Sequence, residues 1–139
     1  MLRLALIACV AAAVLPVSLS AAATLPVYGG CTSKVAVRPH SIVFTCADAN
    51  FYAAGLHWSR WDGKQAVATG TAHANDCAPY CAAGHFHTYR IDVTLSAPVV
   101  CAHLDEFTKV SWRFPSAKPA HLPRRDSESF SCTFRKVRP

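Results

Sequence analysis

Six cysteines, Cys31, Cys46, Cys77, Cys81, Cys101 and Cys132, are spread over the last 116 of 139 residues, and a seventh, Cys9, lies in the apolar start of the chain. An even number in a short exported chain reads as a disulfide framework, because an oxidising compartment consumes paired thiols. Six cysteines allow fifteen connectivities, and sequence alone does not choose among them. Proximity favours Cys77 with Cys81, closed through a turn at Pro79, then Cys31 with Cys46 and Cys101 with Cys132. On the chain-entropy model, loops of these lengths contribute about 2, 3 and 4 kcal/mol. Typical total stabilities are about 5–15 kcal/mol, so reduction should endanger the fold.

The export reading rests on the first 23 residues. Met1-Leu2-Arg3 is a short charged start, residues 4–15 are an unbroken apolar run, and Pro16 breaks it. Small residues follow, ending in Ala21-Ala22-Ala23, which suits the shallow pockets of a signal peptidase. We expect residues 1–23 to be a secretory signal peptide, residues 24–139 to be one secreted domain, and no membrane span to remain after cleavage. Residues 4–23 also have about the length of a spanning helix, but Pro16 and two serines weaken their second half. No basic stop-transfer cluster follows. A lipoprotein reading at Gly29-Gly30-Cys31 is opposed by Tyr28, which stands where a small aliphatic residue is required.

The body of the chain has a period of two. Tyr89, Ile91, Val93 and Leu95 alternate with Arg90, Asp92, Thr94 and Ser96, as in a strand with one face buried and one wet. Val110, Trp112 and Phe114 alternate with Lys109, Ser111 and Arg113; Phe130, Cys132 and Phe134 alternate with Ser129, Ser131 and Thr133. Upstream, Ile42, Phe44 and Cys46, then Ala54, Leu56 and Trp58, and a small β-branched run over residues 65–72 complete the set. Turns are expected at residues 47–50, 62–63, 75–84 and 97–98, with a long Pro-containing loop at 116–128. The expected fold is all-β: a small disulfide-stapled antiparallel sandwich or barrel of about six strands.

One stretch resembles a known pattern. Cys46-Ala47-Asp48-Ala49-Asn50, Trp58-Ser59-Arg60-Trp61 and Asn75-Asp76-Cys77-Ala78-Pro79-Tyr80-Cys81-Ala82-Ala83-Gly84 are similar to segments of an uncharacterised family of small secreted actinobacterial proteins. That family carries a Cys-Ala-Asp-Gly-Asn turn, a Trp-x-x-Trp strand and an Asn-Asp-Cys-x-Pro-x-Cys-Ala-x-Gly segment. The resemblance runs from about residue 42 to about residue 114. It implies export and a β fold, and it brings no catalytic residues. Ala49 departs from it where glycine is common.

Charge is the clearest functional cue. Residues 24–108 carry five basic and six acidic side chains, whereas residues 109–139 carry eight basic and two acidic. A candidate basic patch is Lys109, Arg113, Arg124, Arg125, Lys136 and Arg138, which would suit an anionic cell-envelope or extracellular polymer; the competing reading is a solubility device. Trp58 and Trp61 are three apart, so either they face opposite sides or a bulge turns both inward. Cys77, Cys81, His85 and His87 have a metal-like grouping, but disulfide formation removes its thiols. There is no Gly-x-Ser-x-Gly elbow and no His-Glu-x-x-His helix, and only two glutamates, Glu106 and Glu128. We therefore expect a monomeric, non-catalytic binding domain without a cofactor. The alternative is a small hydrolase of phosphodiesters using His57 or His73 with Lys109 or Arg113.

Overall fold

The computed structural model describes residues 24–32 and 34–132; the expected signal peptide, Lys136 and Arg138 lie outside the described residues. Six strands form one antiparallel sheet in chain order: β1 Ile42–Val43, β2 Phe51–Trp61, β3 Ala66–Asn75, β4 Phe86–Cys101, β5 Leu104–Arg113 and β6 Arg125–Ser129. The sheet curls into a half-barrel, so the all-β antiparallel expectation holds, realised as one open sheet. A 3₁₀ turn, Cys81–Ala83, lies between β3 and β4. No helix in the described residues is long and apolar enough to cross a membrane.

The local chemistry of the turns explains the meander. Between β2 and β3, Asp62 Oδ1 accepts the backbone N–H groups of Lys64 and Gln65, the side-chain turn that aspartate favours. Between β4 and β5 the loop is only Ala102-His103, with Cys101 paired to Leu104. The turn expected at residues 97–98 is instead an interior position of β4. β3 ends its pairing opposite Leu95, so Pro98 stands where β4 has lost that neighbour, and edge positions tolerate proline. The strand expected around Phe130 forms earlier, at Arg125–Ser129, inside what the sequence suggested was loop.

One face of the sheet carries the core. Ala53, Ala66, Ala68, Ala72 and Ala74 are small enough for the covering segments to approach closely, and Ile91, Val93, Leu95 and Val110 fill the centre. Phe44 lies 4.5 Å from Phe51 and 4.8 Å from Trp112, ring centre to ring centre. Each such side chain contributes roughly 1.5–3 kcal/mol on burial. The cover comes from Tyr28 on the N-terminal arm, from Phe44 just after β1 and from Phe114 and Leu122 beyond β5.

The two tryptophans tie that arm down. Pairing of β2 with β3 slips between Ala54 and His57 and again between Trp58 and Arg60. These bulges turn both indoles toward the core side, where they meet edge to face at 4.6 Å. Trp61 Nε1 donates to the Pro26 carbonyl and Trp58 Nε1 to the Pro39 carbonyl. Both rings are therefore packing and anchoring groups.

The three disulfides are Cys31–Cys46, Cys77–Cys81 and Cys101–Cys132, the pairing that proximity favoured. They fasten the arm, one loop and the last strands, in that order.

Candidate functional site

Alternation along β3 to β6 places a second, polar set of side chains on the opposite face, and the register arranges them in rows. One row runs Thr69, Asp92, Arg113, Arg125 across four strands. The next runs Val67, Thr94, Ser111, Ser127, and a third Ser96, Lys109, Ser129. Neighbouring strands are about 4.8 Å apart, so these rows present hydroxyls at regular spacing beside a line of charges. An open depression of about 740 Å³ lies over the first two rows.

Electrostatics differ from position to position within it. Arg113 is paired with Asp92 at 2.5 Å, which places a carboxylate and a guanidinium side by side on adjacent strands. Arg125 stands directly across from Arg113 on the other side. Like charges opposed on neighbouring strands repel, and Asp92 relieves that repulsion from one side only. Among the described residues Arg125 makes no ion pair, and it is exposed. Its guanidinium is thus the group in the depression best placed to meet an external anion.

The six-residue basic patch divides on inspection. Lys109, Arg113 and Arg125 project from the polar face. Arg124 instead folds back, and its Nη1 donates to the carbonyls of Phe114 and Ser116. It is a loop clamp, so replacing it would disturb the segment that covers the core. Lys118, from the same basic quarter, does likewise: its ammonium donates to the carbonyls of Pro119, Ala120 and Leu122.

The polar face has another end, which the sequence did not indicate. Tyr52 and His73 pair across β2 and β3 and stack at 4.6 Å with 3° between their planes. Exposed Phe86 lies 5.7 Å from Tyr52. Thr71 and Arg90 occupy the row between this aromatic platform and the charged row. Four residues of β3 separate His73 from Thr69, about 13 Å of strand. The signal was available only after pairing, because Tyr52, His73 and Phe86 are far apart in sequence.

Residues 75–85 form a loop whose polar side chains brace its own backbone and tie it to Asn50 and His87. Asn75, buried, donates from Nδ2 to Asn50 Oδ1 and the Cys81 carbonyl, and its Oδ1 accepts from the Cys77 N–H. Asp76 Oδ1 accepts from the N–H groups of Ala78 and His85, and Oδ2 contacts His87 Nε2 at 2.9 Å. The His85 N–H, the His87 ring and the Ala78 N–H hold the Asp76 carboxyl well below the usual carboxylate range. A Cβ at Gly84 would fall 2.1 Å from Asn75 Oδ1 and 2.7 Å from the Cys77 nitrogen, so only glycine lets the loop close. The Asn-Asp-Cys spacing, the cysteine pair and the glycine thus have a structural explanation. With both sulfurs in a disulfide, the metal-like grouping with His85 and His87 has no thiolates to offer.

The histidines do not converge on the basic residues. His57 begins the row that continues through Thr69 and Asp92 to Arg113, three strands and about 14 Å away. His73 is held in the aromatic stack. The Asp76–His87 pair borders a separate hollow with Tyr89 and His121, and Lys118, the basic residue of that loop, is turned onto carbonyls.

No protein-family model, curated protein or solved structure matches the chain.

Proposed function

We propose that this protein is an exported, non-catalytic β-domain that binds an anionic extracellular or cell-envelope polysaccharide along the polar face of its sheet. The observation that carries the reading is the charged row Asp92, Arg113, Arg125 beside the hydroxyls of Thr94, Ser111 and Ser127 in one open depression. Arg125 supplies a cation that no carboxylate of the described residues engages. Tyr52, His73 and Phe86 supply ring faces at the other end, suited to the apolar face of a sugar. Hydroxyls between them accept and donate without demanding one partner geometry. Three disulfides and the charged, apolar, small-residue start of the chain support export.

Chromatography on immobilised heparin, used as a generic anionic polysaccharide, tests it. Retention should fall steeply with salt, because released counterions drive such binding. Arg113→Ser with Arg125→Ser should elute at clearly lower salt, and Tyr52→Ala should weaken retention further. A double variant that elutes with the parent protein, or retention insensitive to salt, would defeat the reading.

A second reading, hydrolysis of phosphodiesters, is favoured by one arrangement: His87, aligned by Asp76, with His121 bordering the same hollow. Incubation with single-stranded RNA and a chromogenic phosphodiester tests it. Turnover abolished by His87→Ala would replace the binding domain with an enzyme.

A further inference from the structure

The polar face holds another free cation besides Arg125. Arg90 projects from β4, is exposed, and makes no ion pair among the described residues. It stands opposite Thr71, one row from the Tyr52–His73 stack and one row from the Asp92–Arg113 pair.

Register fixes the spacing of these groups. Arg125 lies two strands from Arg90 and two residues along, about 12 Å between Cα atoms. In the other direction His73 lies one strand and two residues from Arg90, about 8 Å away, and Tyr52 one strand further, about 12 Å away. The steps share one sense, so the aromatic stack, Arg90 and Arg125 follow a single diagonal of the sheet, about 20 Å from His73 to Arg125. Each interval is close to the length of two linked pyranose rings. The Asp92–Arg113 pair flanks the middle of the Arg90–Arg125 interval. Asp92 is half-buried and already neutralises Arg113. A ligand carboxylate set over this pair would be repelled by Asp92 while gaining no free cation, and would still lose part of its hydration.

We infer that the polar face recognises an acidic polysaccharide whose charge falls on alternate rings. One carboxylate meets Arg90 and the next meets Arg125. The uncharged ring between them lies over Asp92 and Arg113, and a further ring stacks on Tyr52 and His73. The inference rests on the polysaccharide reading above and adds the charge period of the ligand. Arg90 is a binding residue that the basic C-terminal quarter does not contain, and Asp92 sets specificity. Discrimination comes as much from the penalty on the wrong ligand as from contacts with the right one: Asp92 disfavours a chain charged on every ring.

Calorimetric titration of the oxidised protein at fixed salt tests it with three hexasaccharides. Hyaluronan carries a carboxylate on alternate rings, oligogalacturonate on every ring, and chitohexaose on none. Hyaluronan hexasaccharide should bind more tightly than the galacturonate, although it has half the charge, and chitohexaose most weakly. A hyaluronan disaccharide, which cannot reach both arginines or the stack, should bind at least tenfold more weakly than the hexasaccharide. Arg90→Ser should weaken hyaluronan binding about fivefold, the size of one exposed ion pair. Asp92→Asn frees Arg113 for the middle ring, so it should strengthen galacturonate binding about fivefold and narrow the preference by that factor. An unchanged urea midpoint would confirm that both variants fold. Tighter binding of galacturonate by the parent protein, no binding of hyaluronan, no loss in Arg90→Ser, or an unchanged preference in Asp92→Asn would overturn the inference. Heparin retention that still depends on Arg113 and Arg125 would then leave the polysaccharide reading standing; loss of that retention as well would remove both.

Discussion

The two faces of the sheet are made by the same strands and do opposite things. On one, Ala66, Ala68, Val93, Val110 and Trp112 lie under the N-terminal arm and the loop beyond β5. On the other, Val67, Thr69, Thr94, Ser111 and Arg113 interleave with them and, among the described residues, carry no covering layer. The alternation that hides one set must present the other. The covered face sets stability, because buried apolar area dominates folding energetics. The open face is free to vary in chemistry, because exposed substitutions away from special geometry rarely shift stability by more than about 0.5 kcal/mol.

The sharpest test of that contrast is Phe44→Ala. Phe44 is fully buried between Phe51 and Trp112 and also covers the sheet. Its truncation should cost about 3–5 kcal/mol in urea unfolding, as core phenylalanines do. A loss below about 1 kcal/mol would mean that the segment after β1 contributes little to the core.

A smaller effect is expected from acid. Asp76 lies below its ordinary value of 3.8, held there by its N–H donors and His87, and Asp62 is lowered to about 2 by the Gln65 and Lys64 N–H groups. The folded chain therefore binds fewer protons than the unfolded chain below about pH 4. The contribution of these carboxylates is complete above that pH and is lost as pH falls toward the folded values. Glu128 runs the other way: burial and Asp126 raise it, so its protonation favours the fold. Urea midpoints should fall between pH 5 and pH 3, and Asp76→Asn should flatten that fall. An identical pH profile in the variant would remove Asp76 from the account.

Next comes a stabilising change. Ala49 adopts φ +53° in the turn before β2, a left-handed conformation that costs an L-residue roughly 1–2 kcal/mol. Asp48 holds the turn by accepting from the Asn50 N–H and Nδ2. Ala49→Gly should raise stability by up to about 1 kcal/mol, the relief exceeding the extra entropy that glycine loses. Thermal melting would show it as a higher midpoint; a lower one would contradict the strain.

The smallest effect on folding belongs to the open face. Arg113→Ser with Arg125→Ser removes one exposed ion pair and one like-charge opposition, and should alter stability by less than about 0.5 kcal/mol. A larger loss would show that the charged row supports the fold and would blur the distinction between the faces.

Much of this architecture was legible in the residues. Ile91, Val93 and Leu95 against Asp92, Thr94 and Ser96 announce a half-buried strand, and the cysteine spacing favours the three bridges that form. β6 was not legible, because Arg125 to Ser129 has no apolar member to set a phase; its place comes from backbone pairing with β5. The β4–β5 turn was hidden for the opposite reason. Ala102 and His103 are not turn formers, and Pro98, which is one, lies inside the strand.

The sequence by itself determined the strand periodicity, the presence of six cysteines to pair and the charge imbalance, since each is read directly along the chain. Tertiary structure alone decided what the basic residues do. It brought Asp92 to Arg113 across 21 positions, bent Arg124 onto carbonyls and set Tyr52, His73 and Phe86 together as one platform. It also joined Cys101, at the end of β4, to Cys132 across 31 positions. The physical reason is that a side chain's electrostatic and apolar partners are fixed by strand register and loop closure, and neither is written in the spacing of residues along one strand.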